Sequence, residues 1–225
     1  MRVTRIVLVW AVVCIAAGLV WGAEEAKEAQ QAKEAKTIAL PKPQMEGGKP
    51  LMQALKDRHS AREFSDKKLS DQTLSNLLWA ADGVNRPDGK RTAPSAMNWQ
   101  EIDIYVATAD GLFLYDAKGN ALKEIVAEDV RALTGQQPFV KVAAVNLIYV
   151  ADYARMRGRA SEETKNSWAS VPAGCIVQNV YLFCASEGLN TVVRGMVPSE
   201  QLAPKMNLRP EQRILLAQTV GYPKQ

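Results

Sequence analysis

The chain predicts an α+β fold: helices flanking a central mixed or antiparallel sheet. Three observations lead there. Helical and extended patterns interleave along the chain, yet EIDIYVATADGLFLYD reads as two alternating strands turned at Asp110 and Gly111, an antiparallel hairpin. The stretch from Ser170 to Gly188 reads as a helix that is apolar on nearly every side, which places it in an interior. Directly after it, TVVRGMV reads as a buried strand with a charged residue and a glycine at its end. The 225 residues suffice for one core.

The N-terminus comes first. MRVTR is a basic start, followed by an apolar run that stops at Glu24 and ends in small residues, the layout of a secretory signal peptide over residues 1–23. Export to the periplasm or another extracytoplasmic space is expected, with an uncleaved anchor as the alternative. Removing Arg2 and Arg5 with that segment lowers the formal charge from +4 to +2, which argues against nucleic acid as a partner. Residues 24–48 alternate charge with alanine and then turn rich in proline and glycine; they read as a solvated spacer and tether. The folded domain is expected over residues 49–225.

Within it, LMQALKDRHSAREF begins helical and breaks near Ser60. LSDQTLSNLLWAADGV is a cleaner helix, capped by Ser70, striped by Leu74, Leu77, Leu78 and Ala81, and ended by Gly83. NRPDGKRTAPSAMN is a loop by composition, and the hairpin follows it, with a second turn at Lys118 to Asn120. EIVAEDVRALTGQ reads as helical and VKVAAVNLIYVAD as a long apolar strand. RMRGRASEETKNSWAS is polar and reads as an exposed helix leading into the central one. The central helix would take Ser170 as its cap, with Pro172 in its first turn. PSEQLAPKM is a short helix, and QRILLAQTVGYPKQ gives a final strand.

Cys175 and Cys184 both fall in the central helix, roughly 13 Å apart along its axis, too far to bridge. With His59 the single histidine, a Cys/His metal site is not expected.

Two clusters carry chemistry. Arg58, His59, Ser60 and Arg62 gather guanidiniums, an imidazole and a hydroxyl at a helix-to-loop junction, the donors a phosphate dianion requires; a solvated basic face is the competing reading. Thr92 to Gln100 places Pro94, Ser95, Asn98 and Gln100 ahead of a strand, where short polar groups could bind a heterocycle edge or simply serve a turn. Lys224 after Gly-Tyr-Pro is a further cation or a frayed end.

Taken in order, RHSAREF at Arg58 to Phe64, RTAPSAMN at Arg91 to Asn98, AGCIVQNVYLFCASEGLNTVVRGMV at Ala173 to Val197 and the closing VGYPK resemble the nitroreductase family of FMN flavoproteins. The GLFLYD hairpin is similar to the thiazole/oxazole-forming dehydrogenase branch. The resemblance implies a nitroreductase-like fold and an obligate homodimer with FMN at each interface. It implies that Arg58, His59, Ser60 and Arg62 hold the phosphate and ribityl chain with Lys224, and that Pro94, Ser95 and Asn98 line the isoalloxazine. Arg194 and Gly195 would bring backbone amides to its N5 and O4, and the helix around Gln178 and Asn179 would form the dimer core. Arg194 stands where some members carry an acid. The resemblance implies an FMN-dependent oxidoreductase acting on a small organic substrate, with no catalytic acid or base placed. An exported enzyme would lack NAD(P)H, so either a membrane quinol or redox protein is the expected donor or the enzyme runs as a dehydrogenase. A flavin binder without turnover and an exported interaction module are the alternatives.

Overall fold

A computed structural model describes residues 36–224; the expected signal segment and most of the charged spacer lie outside the described residues. Four α-helices and seven strands follow one another as β1 (Thr37–Ala39), α1 (Leu51–Asp57), α2 (Asp71–Asp82), β2 (Ile102–Thr108), β3 (Gly111–Asp116), β4 (Ala121–Val126), β5 (Val145–Asp152), α3 (Glu162–Glu187), β6 (Asn190–Arg194), α4 (Ser199–Lys205) and β7 (Gln212–Gly221). The strands form one sheet ordered β1-β4-β3-β2-β5-β7-β6. Every neighbouring pair in it is antiparallel, so the mixed sheet admitted by the sequence resolves to a purely antiparallel one.

The sheet separates two cores. On one face α2 and α3 pack through Leu77, Leu78, Ala173, Ile176 and Val180. On the other, Tyr105, Ile148 and Ala217 meet Leu202 and Met206 of and beside α4. Strand β5 lies between two partners and is buried at all eight positions, the pattern expected of a central strand covered on both faces.

Local chemistry accounts for the elements that agree with expectation. Ser70 Oγ accepts the Thr73 N–H at 3.1 Å and Gly83 follows the last turn of α2. The β2–β3 hairpin turns at Ala109 and Asp110.

Three expectations are corrected. Helix α3 starts nine residues earlier than a Ser170 cap would place it: Ser161 caps it, Glu162 and Glu163 fill its first turn, and the exposed leading helix fuses with the central one. Pro172 therefore lies inside the helix, where it removes the N–H that would meet the Trp168 carbonyl. The run EIVAEDVRALTGQ is not helical. Asp116 Oδ1 accepts the Lys118 and Gly119 N–H groups and turns the chain back, so Ala121–Val126 pairs with β3 as a strand, and only Arg131–Thr134 makes a 3₁₀ turn. Finally, the tether is structured. Thr37–Ala39 pairs with β4, Ser75 Oγ donates to the Pro41 carbonyl at 2.5 Å, and Lys49 N–H reaches Ser186 Oγ at 2.8 Å. Residues from Thr37 onward, this tether included, form one compact unit.

Candidate functional site

Arg58 ends α1, and its guanidinium lies 5.2 Å from the centre of the Tyr181 ring. The Tyr181 hydroxyl accepts the Val193 N–H at 3.0 Å and shares a 2.8 Å hydrogen bond with Ser60 Oγ. One buried tyrosine of α3 thereby fastens both a guanidinium and a hydroxyl of the basic cluster to edge strand β6. Ala61 N–H adds a bond to the Thr191 carbonyl, and Asn190 donates to the Glu63 carbonyl. His59 turns its Nδ1 back to the Asp57 carbonyl at 2.7 Å, so it serves the turn through that nitrogen. Arg62 is exposed and has no ion-pair partner among the described residues. The C-terminal segment joins this edge: Ser65 N–H donates to the Tyr222 carbonyl, and Lys224, also exposed, follows two residues later.

The loop carrying Pro94, Ser95 and Asn98 lies elsewhere on α3, beside Pro172 and Ile176. Its backbone is strained: Met97, Asn98 and Gln100 all take positive φ, near +50°. Ser95 sustains that shape, because its Oγ accepts the Gln100 N–H at 2.8 Å and donates to Glu101 Oε2 at 2.6 Å. The Ser95 hydroxyl is thus occupied within the loop, while Pro94, Met97 and Asn98 are exposed. Arg155 supports the loop from behind, donating to the Gln100 carbonyl at 2.9 Å, and Trp99 packs on Trp168 with ring centres 5.8 Å apart.

Beneath this loop is a group of charges that sequence reasoning missed. Asp82 pairs with Arg91 at 2.5 Å, and the fully buried Glu101 keeps Oε1 without a partner among the described residues. Burial pushes the Asp82 carboxyl up to about 7, opposed by Arg91. A raised folded-state value means the native state holds a proton that the unfolded chain has released. Stability from this group is full below about 4 and lost as pH rises through about 7. Asp82→Asn should flatten that slope; thermal unfolding of both proteins between pH 4 and 8 would show wild type losing on the order of 4 kcal/mol that the variant keeps.

Arg194 closes β6 with its side chain turned into the protein, 6% exposed, while Gly195 is exposed. The guanidinium donates to the Thr134 carbonyl, Asn146 Oδ1 and Thr219 Oγ1, so any contact of this pair with a ligand comes from the backbone or Gly195.

The two clusters do not meet within one chain. At 100° per residue, Tyr181 lies roughly 140° from Ile176 and 180° from Pro172 around α3, and some 13 Å along it from Pro172. Between those flanks α3 presents an outward face with Trp168 42% and Val171 66% exposed, and α1 adds Leu51 at 63% and Met52 at 75%. Beside it runs a groove of about 790 Å³ lined by Met45, Leu51, Trp79, Leu182 and Phe183. A separate cleft of about 470 Å³, between Ile38, Lys68 and Lys141, contains none of the expected site residues. Among the described residues Cys175 and Cys184 are free; Cys184 is buried in the core and Cys175 half-buried on α3.

A model of the nitroreductase family matches residues 55–222. The chain belongs to the nitroreductase family. A nitroreductase homologue of Methanocaldococcus jannaschii is 33% identical over 155 residues, covering 64% of this chain and 78% of that protein. The crystal structure of a nitroreductase homologue from Ralstonia eutropha superposes with a TM-score of 0.79 at 42% identity, over 84% of this chain and 90% of that one. A further homologue from Desulfovibrio desulfuricans, crystallised in complex with FMN, gives a TM-score of 0.56 at 26% identity over 79% and 88% of the two chains. The nitroreductase match includes the Arg58 cluster, the Pro94–Asn98 loop, Arg194 and Gly195, and stops short of Lys224.

Tyr181 was the residue with a readable but overlooked signal. A phenol in an otherwise apolar helix needs a partner for its hydroxyl when buried.

Proposed function

We propose that this nitroreductase-family chain is an FMN-dependent oxidoreductase of the cell envelope whose site is assembled from two copies. The carrying observation is the division of the site: phosphate-type donors sit on one flank of α3 and the strained heterocycle-type loop on the other, with an exposed apolar face between them. A second copy docked on that face brings the loop of one chain to the basic cluster of the other, and it covers apolar surface that a monomer would leave in water.

The donor set fits FMN. Arg58, Arg62 and Lys224 offer three cations to a phosphate dianion, and Ser60, held by Tyr181, offers a hydroxyl beside them. Pro94, Asn98 and the Gly195 backbone supply a flat edge and amide groups for the ring. Bound FMN supplies hydride and electron transfer to a small organic substrate. The chain's own residues bind and orient it, exclude water and tune its charge; no side chain here is assigned a proton-transfer role.

Reconstitution of purified protein with FMN tests the proposal. One FMN per chain on a dimer, with substrate-dependent reoxidation, is the expected result; colourless protein would instead favour an interaction module, and flavin without turnover a storage or sensing role. For an exported enzyme the donor is a membrane quinol or a redox protein. Stopped-flow mixing with NADH and NADPH checks that, since rapid bleaching of the flavin by either would exclude it.

A further inference from the structure

Arg194 is the one arginine among the buried polar residues, and no carboxylate among the described residues lies within ion-pair distance of it. The contrast with the other arginines packed against the fold is direct: Arg91 meets Asp82, Arg131 meets Asp129, and Arg155 and Arg209 both meet Asp152. The acceptors around Arg194 are all neutral. Nη1 donates to the Thr134 carbonyl, Nη2 to Asn146 Oδ1 at 3.0 Å, and Nε to Thr219 Oγ1 at 3.2 Å. The space is kept for it, because a Cβ at Gly135 would stand 2.0 Å from Nη1. Burial lowers the guanidinium to about 10, which leaves it cationic at neutral pH.

An uncompensated buried cation is unfavourable unless charge appears nearby that it can stabilise. Its position supplies the candidate: Arg194 directly precedes Gly195, the exposed residue just after β6 that the FMN reading places at the ring. We infer that Arg194 is a fixed counter-charge for reduced flavin, held beneath the strand end by neutral acceptors so that its charge stays unspent until the cofactor is reduced. The inference rests on the FMN reading. Two electrons and one proton taken up by FMN leave one added negative charge, and a preorganised cation close to it favours the reduced state. The guanidinium touches neither substrate nor cofactor. It acts through the field, and it makes the bound flavin a better electron acceptor than the same site would with a neutral side chain.

The test compares midpoint potentials of FMN-loaded wild type, Arg194→Met, Arg194→Lys and Asn146→Asp by dye equilibration. Asn146→Asp keeps the arginine and sets a carboxylate against Nη2, cancelling the charge without removing the side chain. Arg194→Met and Asn146→Asp should each lower the reduction equilibrium constant at least tenfold, ~30 mV for a two-electron couple. Arg194→Lys should stay within threefold of wild type. If Arg194→Met fails to fold, Asn146→Asp alone decides. An unchanged potential in Asn146→Asp overturns the inference and leaves Arg194 as a clamp on the Thr134 segment. Wild-type protein that binds no FMN overturns the functional reading instead, so the two failures are distinct.

Discussion

Val171→Glu is expected to convert a dimer into a monomer and to abolish stable FMN binding in the same step. Val171 is 66% exposed on α3, so a glutamate there is solvated in the isolated chain and leaves the fold intact. Across a twofold axis the substitution acts twice, burying two like charges, at a cost of several kcal/mol per ion. If the site is shared as proposed, loss of flavin follows, because the Arg58 cluster and the Pro94–Asn98 loop occupy opposite flanks of α3 and a second chain would unite them. Light scattering after size exclusion reads the assembly, and quenching of FMN fluorescence reads the affinity. Lys118→Glu, an exposed change on the β3–β4 turn, is the control that keeps both. Wild-type protein that is monomeric yet binds FMN one to one would refute the shared site.

What the sequence made legible was local. Ser70, the Leu74 to Ala81 stripe and Gly83 each act within a turn or two, and α2 forms where they place it. The β2–β3 hairpin carries its own turn and alternation. Where two local signals competed, the outcome depended on what lay further away. Ser170 was the expected cap of the central helix, yet Ser161 with its acidic first turn starts α3 earlier, and the helix continues through Pro172, where packing on the sheet holds it. Ala121–Val126 became a strand because β3 and β1 flank it, a reason invisible within its own residues.

The site divides along the same line. The basic cluster and the Pro94–Asn98 loop are contiguous segments and could be named from order alone. Tyr181 joins Ser60 across 121 positions, and the Arg194 network joins residues 25 to 60 positions away, so neither is a property of any short stretch. The family resemblance implied that the Arg194 and Gly195 backbone would meet the flavin; tertiary packing turns the Arg194 side chain inward.

Replacing both Arg58 and Arg62 by alanine should weaken FMN binding by roughly two to four powers of ten, since a hydrogen bond to a charged group contributes about 1.5–3 kcal/mol and two are removed. Neither arginine meets a carboxylate among the described residues, and Arg62 is exposed, so removing them leaves no buried acid unpaired and the fold should hold. The loss should appear as weaker binding of FMN with riboflavin binding little changed, because riboflavin lacks the phosphate these guanidiniums would grip. Wild-type affinity should fall as salt rises, and that dependence should shrink in the double variant. Equilibrium titration of both ligands at two ionic strengths separates this from damage to the ring-binding loop, which would weaken riboflavin equally. Unchanged FMN affinity in the double variant would mean that the cations at this edge of β6 serve only the solvent.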